Sequence, residues 1–132
     1  MRSIKAYAVG IFVPCTTWFL LYTTLYFFDN EAIKKHPVQV VSLLTPILWG
    51  AWNAIFLNFG KYFRGKTIQD KITLAGFIFG IITGAITAFI IPLFLYLLGG
   101  GYQYATLIFF PFYNMLCWRY LVHPMNKAFK IY

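Results

Sequence analysis

The chain has 132 residues, of which 61% are hydrophobic and 11% are charged, and its formal net charge is +8. Soluble domains carry about 25% charged residues, and so short a chain could not bury this much apolar surface in one water-soluble core. The composition excludes an ordinary soluble domain and predicts a single all-α integral membrane domain over residues 1–132. The positive charges flank apolar segments, so they predict membrane topology rather than nucleic-acid binding.

Four apolar segments are long enough to cross a hydrocarbon core of about 30 Å, which takes about 20 helical residues. In chain order they are residues 6–28, 38–59, 72–98 and 102–121. We therefore predict four transmembrane helices, arranged as two helical hairpins.

Lys and Arg residues are distributed unequally between the two sides of this predicted bundle. Lys34 and Lys35 lie on one side. The other side carries nine: Arg2, Lys5, Lys61, Arg64, Lys66, Lys71, Arg119, Lys127 and Lys130. By the positive-inside rule, both termini are predicted to lie in the cytoplasm.

A faint internal repeat relates the two predicted hairpins. The stretch KAYAVG at residues 5–10 aligns with KITLAG at residues 71–76. The same offset of 66 carries Thr17 onto Thr83, and an offset of 65 carries Pro46 onto Pro111. Two hairpins with the same membrane orientation, arising by duplication, would produce this pattern.

Small residues recur at every fourth position of the third segment: Gly76, Gly80, Gly84 and Ala88. Each interior glycine costs about 1 kcal/mol relative to alanine, but a small face lets helix backbones approach closely in lipid. We predict a helix-packing surface here. It would pack either against helix one or two of the same chain or between the subunits of a homodimer.

Residues suited to catalysis are few. His36 and His123 are predicted on opposite sides of the membrane, so they cannot share a metal ion or a catalytic triad. The paired carboxylates Asp29 and Glu31 fall on a loop, where a solvated turn is the simpler interpretation. We expect no enzymatic activity, no cofactor and no metal site.

Polar and basic residues supply the candidate binding groups. Asn53 and Asn114 lie in helices two and four, where they either line a polar groove between the hairpins or form interhelical hydrogen bonds. Lys61, Arg64 and Arg119 belong to the basic side, which either attracts anionic lipid head groups or only sets topology. Arg119 lies closest to hydrocarbon, and its planar guanidinium suits phosphate.

Two further stretches complete a recognisable pattern: WNAIFLNFGKYF at residues 52–63 and YNMLCWRYLV at residues 113–122. With KAYAVG in helix one, they make the chain resemble the GtrA-like family of small four-helix membrane proteins. The resemblance implies translocation of polyprenyl-phosphate-linked sugars, or assistance to a membrane glycosyltransferase, during cell-surface polysaccharide synthesis. It also implies a bacterial cytoplasmic membrane, with Asn58, Asn114 and Arg119 nearest the lipid-linked phosphate.

The leading hypothesis is therefore a non-enzymatic membrane protein that handles an anionic lipid-linked substrate. Its candidate site residues are Asn53, Asn58, Asn114, Arg119, Lys61 and Arg64. One alternative is an accessory or assembly subunit of a larger membrane complex, which would use the glycine face to bind its partner. A small-ion channel is a further alternative.

Overall fold

The computed structural model describes residues 1–28, 31, 36–90 and 102–132. The predictions that involve Asp29, Lys34, Lys35 and the third segment beyond residue 90 concern residues outside these ranges. Within the described ranges every regular element is helical, as predicted.

The helices follow the predicted order but differ at their ends. They are α1 (Arg2–Phe28), α2 (His36–Phe59), α3 (Ile68–Ala85), α4 (Thr106–Cys117) and α5 (His123–Ala128). Short 3₁₀ turns occur at Gly60–Tyr62 and Gln103–Ala105. α3 continues as a π-helix over Ile86–Ile90, and a second π-helix, Trp118–Val122, joins α4 to α5. Helical residues precede the apolar segments predicted to begin at about residues 6 and 72, and the helical structure continues past residue 121 to Ala128.

The earlier start of α3 has a local cause. The Thr67 side chain accepts a hydrogen bond from the Asp70 backbone N–H at 3.1 Å, and the Asp70 carboxylate accepts one from the Thr67 backbone N–H at 3.1 Å. This capping box satisfies backbone donors that the first helical turn leaves unpaired. The helix therefore begins at Ile68, before the apolar segment does.

Three of the described stretches are long and apolar enough to cross a membrane: Arg2–Phe28, Gln39–Tyr62 and Ile68–Ile90. Large apolar side chains such as Phe19, Leu43 and Ile108 are about 70% exposed, which suits a surface that faces lipid rather than water. These observations support the predicted integral membrane protein and its first three spans.

α1 and α2 form an antiparallel pair with direct backbone contact. A Cβ atom on Gly10 would lie 2.6 Å from the Trp49 carbonyl oxygen and 2.8 Å from the Gly50 Cα. Further along α1, the Tyr22 hydroxyl lies 2.9 Å from the Ser42 hydroxyl. Only glycine at position 10 allows this approach.

α3 and α4 form a second antiparallel pair through the predicted glycine face. A Cβ atom on Gly76 would lie 2.9 Å from the Asn114 carbonyl oxygen, and one on Gly84 would lie 2.7 Å from the Thr106 carbonyl oxygen. Ala88, the last member of the face, is buried. The surface does pack, but on α4 of the same chain. The prediction of helix one or two as its partner was wrong, and the face is not free for a homodimer.

The two pairs are packed alike. The buried residues of α1 are Ala6, Val9, Gly10, Val13 and Pro14. The residues 66 positions later, Ile72, Ala75, Gly76, Phe79 and Gly80, are all buried in α3. The carbonyl oxygens that face Gly10 and Gly76 belong to Trp49 and Asn114, which are 65 positions apart. The faint sequence repeat therefore corresponds to a repeated packing arrangement.

Side chains join one pair to the other. Trp49, Trp52, Phe79 and Trp118 form an aromatic cluster, with ring centroids 5.3–6.2 Å apart between neighbouring rings. The Trp52 indole N–H donates to the Ala75 carbonyl oxygen at 3.0 Å. The helix backbones therefore contact each other within each pair, whereas side chains make the contact between the two pairs.

Replacing Gly80 by alanine should destabilise the protein by about 1–3 kcal/mol. The new methyl group would meet the Phe110 carbonyl oxygen and the Pro111 Cα, which are backbone atoms that cannot rotate away. The control is Gly60→Ala, whose methyl group meets only the edge of the Phe56 ring at 3.3 Å. Thermal unfolding of the purified variants in detergent measures both, and equal midpoints would contradict the packing described here.

Candidate functional site

A cavity of about 350 Å³ lies between the two helix pairs. This volume is within the range of about 300–1,000 Å³ typical of small-molecule sites, which are likewise mostly apolar with a few polar groups. The lining residues are Thr17, Trp18, Leu21, Val41, Leu44, Thr45, Leu48, Trp49, Thr83, Ile86, Thr87, Phe109, Phe110, Tyr113 and Asn114. Both pairs contribute to it, and none of these lining residues is charged.

The aromatic cluster closes the cavity toward one end of the bundle. This basic end carries Lys61, Arg64, Lys71 and Arg119. Trp49 lines the cavity and also packs against Phe79 and Trp118. Trp118 is fully buried, and its indole N–H has no hydrogen-bond partner among the described residues. The cluster therefore separates the cavity from the end that carries the lysines and arginines, and packing rather than hydrogen bonding fixes Trp118 there.

Threonines supply several polar atoms of the cavity wall. Each hydroxyl donates to the carbonyl oxygen four residues earlier in its own helix, at 2.6–3.0 Å, as follows: Thr17 to Val13, Thr45 to Val41, Thr83 to Phe79 and Thr87 to Thr83. Such bonds satisfy the hydroxyl hydrogen inside an apolar helix. The oxygen of each hydroxyl can still accept a further hydrogen bond.

Asn114 is the least satisfied polar group in the cavity wall. Its side chain is only 3% exposed, and its Nδ2 donates to the Phe110 carbonyl oxygen at 2.9 Å. A carbonyl can only accept, so this bond fixes which side-chain atom is the nitrogen. The remaining Oδ1 is buried and has no partner in the described part of the chain, a condition that costs about 1–3 kcal/mol. A ligand donor at Oδ1 would remove that penalty.

Asn53 does not share this groove. It is fully buried, and its Nδ2 donates to the Ala6 carbonyl oxygen at 2.7 Å and to Asn126 Oδ1 at 2.9 Å. Asn126 Nδ2 returns a bond to Asn53 Oδ1 at 2.9 Å. Asn53 therefore forms interhelical hydrogen bonds, one of its two predicted alternatives, and it is not among the described residues that line the cavity with Asn114.

The remaining predicted residues lie at the basic end, and they are not equivalent. Arg119 is partly exposed, with its Nη1 4.0 Å from Asp70 Oδ1 and 3.4 Å from Thr73 Oγ1, so a carboxylate already offsets its charge. Arg64 is exposed. Asn58 is also exposed and donates to the Ala54 carbonyl oxygen of its own helix.

Lys61 lines a smaller groove of about 170 Å³ at this end. The other lining residues are Phe56, Leu57, Gly60, Ile68, Lys71 and Tyr132. Lys71 belongs to the basic side predicted from the sequence, whereas Tyr132 was not singled out as a site residue. The contribution of Tyr132 depends on how the C-terminal segment folds back, which no local motif signals.

The C-terminal segment is held in place by specific contacts. The Ile131 backbone N–H donates to the Asn126 carbonyl oxygen at 2.9 Å, and the Ile131 side chain is almost fully buried. Tyr132 stacks on His123, with its hydroxyl 2.7 Å from His123 Nδ1. Burial, with the charges of Lys127 and Arg119, lowers the pKa of His123, so a neutral imidazole can accept the tyrosine hydroxyl hydrogen. Burial also raises the pKa of Tyr132 to about 12.

Within the described ranges, no three His, Cys, Asp or Glu side chains come together as a metal site would require. In comparisons with known proteins, the chain matches no family model, no curated protein and no solved structure. The resemblance to the GtrA-like family therefore stays a prediction.

The buried pair of Asn53 and Asn126 should be strongly coupled. Replacing either residue by alanine leaves the other amide partly unpaired, which we expect to cost about 1–3 kcal/mol of unfolding free energy. The double variant should cost clearly less than the sum of the single variants, because its second substitution breaks no intact pair.

The unfolding free energies of the unmodified protein, the two single variants and the double variant are measured by unfolding in detergent or denaturant. Asn58→Ala is the matched control, since its amide is exposed and bonds only within its own helix. We expect a change within about 0.5 kcal/mol for the control. Additive effects of the Asn53 and Asn126 substitutions would show that the pair does not form.

Proposed function

We propose that this chain is a membrane carrier that binds an anionic lipid-linked substrate of the polyprenyl-phosphate-sugar class. It translocates this substrate, or presents it to a membrane glycosyltransferase, for cell-surface polysaccharide synthesis. The observation that carries the proposal is the cavity between two similarly packed helix pairs. In carriers built from repeats, the substrate site lies near the bilayer midplane at the interface between the repeats.

A fourth membrane span is part of this proposal. α4 runs antiparallel to α3, from Thr106 beside Gly84 to Trp118 beside Gly76. Because Ile68–Ile90 is long and apolar enough to cross a membrane, a helix packed along most of it would cross the same layer. The fourth helix continues through Trp118–Val122, which gives it additional length.

The proposed orientation places the basic end in the cytoplasm of a bacterium, with the protein in the cytoplasmic membrane. The start of α1 meets the last helix at this end, because Asn53 contacts both Ala6 and Asn126. Both termini therefore share the end that carries Lys61, Lys71 and the other basic residues. The positive-inside rule assigns such an end to the cytoplasm.

Lys61 and Lys71 are the residues best suited to bind the phosphate. Both line the groove beside Tyr132, and neither has a carboxylate partner among the described residues. Arg119, favoured by the resemblance, is already paired with Asp70. Basic residues next to a membrane helix attract anionic lipids by about 1 kcal/mol each. The cavity would receive the uncharged parts of the substrate.

Transfer between groove and cavity would require the aromatic cluster to open. The two sites are about 10 Å apart along α2, from Phe56 in the groove to Trp49 in the cavity wall. Side chains alone form the cluster, so one rigid helix pair can move relative to the other. The π-helix Trp118–Val122 adjoins this path, and the π-helix Ile86–Ile90 contributes Ile86 and Thr87 to the cavity wall. π-Helical turns occur frequently at functional sites. The protein would act by binding and movement, without catalysis.

The alternative of an accessory subunit loses its main support. Its predicted contact surface was the glycine face, which α4 covers within the same chain. The ion-channel alternative is also less favoured, since the cavity lining is uncharged and the aromatic cluster closes one end of it. The carrier proposal accounts for both features.

Single cysteines should report the proposed topology. In a background with Cys15 and Cys117 replaced by alanine, Lys66→Cys should react with an impermeant maleimide only after the membrane is opened, because residue 66 lies in the cytoplasm. Tyr104→Cys, at another exposed position, should react in intact cells. Labelling of both positions from the same side would contradict the four-span arrangement.

Lipid binding tests the phosphate site. The double variant with Lys61→Gln and Lys71→Gln should bind a polyprenyl phosphate about ten-fold or more weakly, because two attractions of about 1 kcal/mol each are removed. The double variant with Lys127→Gln and Lys130→Gln is the control, since it removes the same charge from the same end without touching the groove. Native mass spectrometry of protein in lipid nanodiscs measures both. If both double variants lost affinity equally, the positive charge of this end as a whole would explain binding, and the proposed phosphate site would be contradicted.

A further inference from the structure

The described lining of the cavity suits an uncharged hydroxyl group better than an ionised phosphate. Asn114 Oδ1, a hydrogen-bond acceptor, is buried in the cavity wall and has no partner within residues 1–28, 31, 36–90 and 102–132. The hydroxyl hydrogens of Thr83 and Thr87 are already donated within α3 and its π-helical continuation, so the oxygens remain as acceptors. An ionised phosphate is itself only an acceptor, and none of the lining residues carries a positive charge to offset it.

A hydroxyl group fits these features. It donates one hydrogen bond, which Asn114 Oδ1 can accept, and it carries no charge that must be desolvated. Its own oxygen can accept a hydrogen bond, and the Tyr113 hydroxyl, which lies 3.5 Å from Thr17 Oγ1, belongs to the same wall. The apolar remainder of the wall suits the carbon skeleton that bears such a hydroxyl.

We infer that the cavity binds an uncharged, hydroxyl-bearing part of the substrate through Asn114 Oδ1 and excludes the phosphate. This inference rests on the proposed function only in taking the cavity as a place that the substrate occupies. It assigns Asn114 a role different from the one that the GtrA-like resemblance implies, in which Asn114 lies near the phosphate. Two chemically distinct sites then share one substrate: the lysine groove holds its charge, and the cavity recognises its hydroxyl.

Three probes with the same carbon chain test whether the cavity prefers a hydroxyl group to a phosphate. They are a short isoprenoid alcohol, its monophosphate and the corresponding hydrocarbon. Each is titrated into protein in nanodiscs while tryptophan fluorescence is followed, with empty nanodiscs correcting for partition into lipid. Because Trp18 and Trp49 line the cavity, its occupation should change their emission. The alcohol should bind about five-fold more tightly than the hydrocarbon, the gain expected from one neutral hydrogen bond.

Asn114→Leu removes the acceptor while keeping a similar side-chain volume. The alcohol should then bind about five-fold more weakly, as the hydrocarbon does, and the hydrocarbon affinity should stay unchanged, which also reports an intact cavity. Asn58→Leu is the matched control because Asn58 lies at the basic end, outside the cavity. It should preserve the preference for the alcohol.

The outcomes separate this inference from the proposed function. Equal affinities for alcohol and hydrocarbon in the unmodified protein would overturn the inference, whatever the behaviour of the variants. So would a fluorescence response to the monophosphate that persists in the Lys61→Gln and Lys71→Gln double variant and is lost in Asn114→Leu. If the alcohol is preferred but the lysine variant still binds the monophosphate normally, the cavity inference stands and the proposed phosphate site fails.

Discussion

Close backbone contact within each antiparallel helix pair is the interaction on which the rest of this structure depends. At Gly10 and Gly76, a carbonyl oxygen of the facing helix occupies the space that a side chain would need. Lipid tails are as apolar as leucine, so burial alone does not drive helices together, and close packing must supply the attraction. The glycines thus lose helix propensity locally but make each pair a rigid unit. The same arrangement occurs twice, 66 residues apart along α1 and α3.

The contact between the two pairs is different in kind. At the basic end, the aromatic cluster and two reciprocal hydrogen bonds between the Asn53 and Asn126 amides connect the two helix pairs. Toward the middle of the helices, side chains leave the cavity between the pairs. Tight packing within the units and side-chain contact between them combine a stable fold with an interface that can rearrange. Repeat-built carriers use this combination, in which one repeat moves against the other around a central site.

Charge and hydrogen-bonding capacity are separated along the bundle. The basic end holds Lys61 and Lys71 without carboxylate partners among the described residues, whereas Asp70 offsets Arg119. The described residues that line the cavity are uncharged, and the Asn114 oxygen there has no partner among them. An amphipathic substrate with one anionic and one hydroxyl-bearing part would find a complementary environment for each. This separation is the physical basis of the carrier proposal, and it places the barrier between the two environments at the aromatic cluster.

The sequence by itself determined the membrane character, the first three spans, the asymmetry of charge and the small face of α3, because composition and helical periodicity are local properties. The faint repeat could also be seen in the sequence, where Gly10 and Gly76 occupy corresponding positions, and both lie against a carbonyl oxygen of the facing helix. Only the tertiary structure decided that α4 covers the glycine face, because any neighbouring helix can use a small surface. It also decided that Asn53 bonds Asn126, 73 residues away, whereas Asn114 keeps an unpaired oxygen. Hydrogen-bond partners that are distant in the chain depend on how whole helices dock, and no local pattern encodes that.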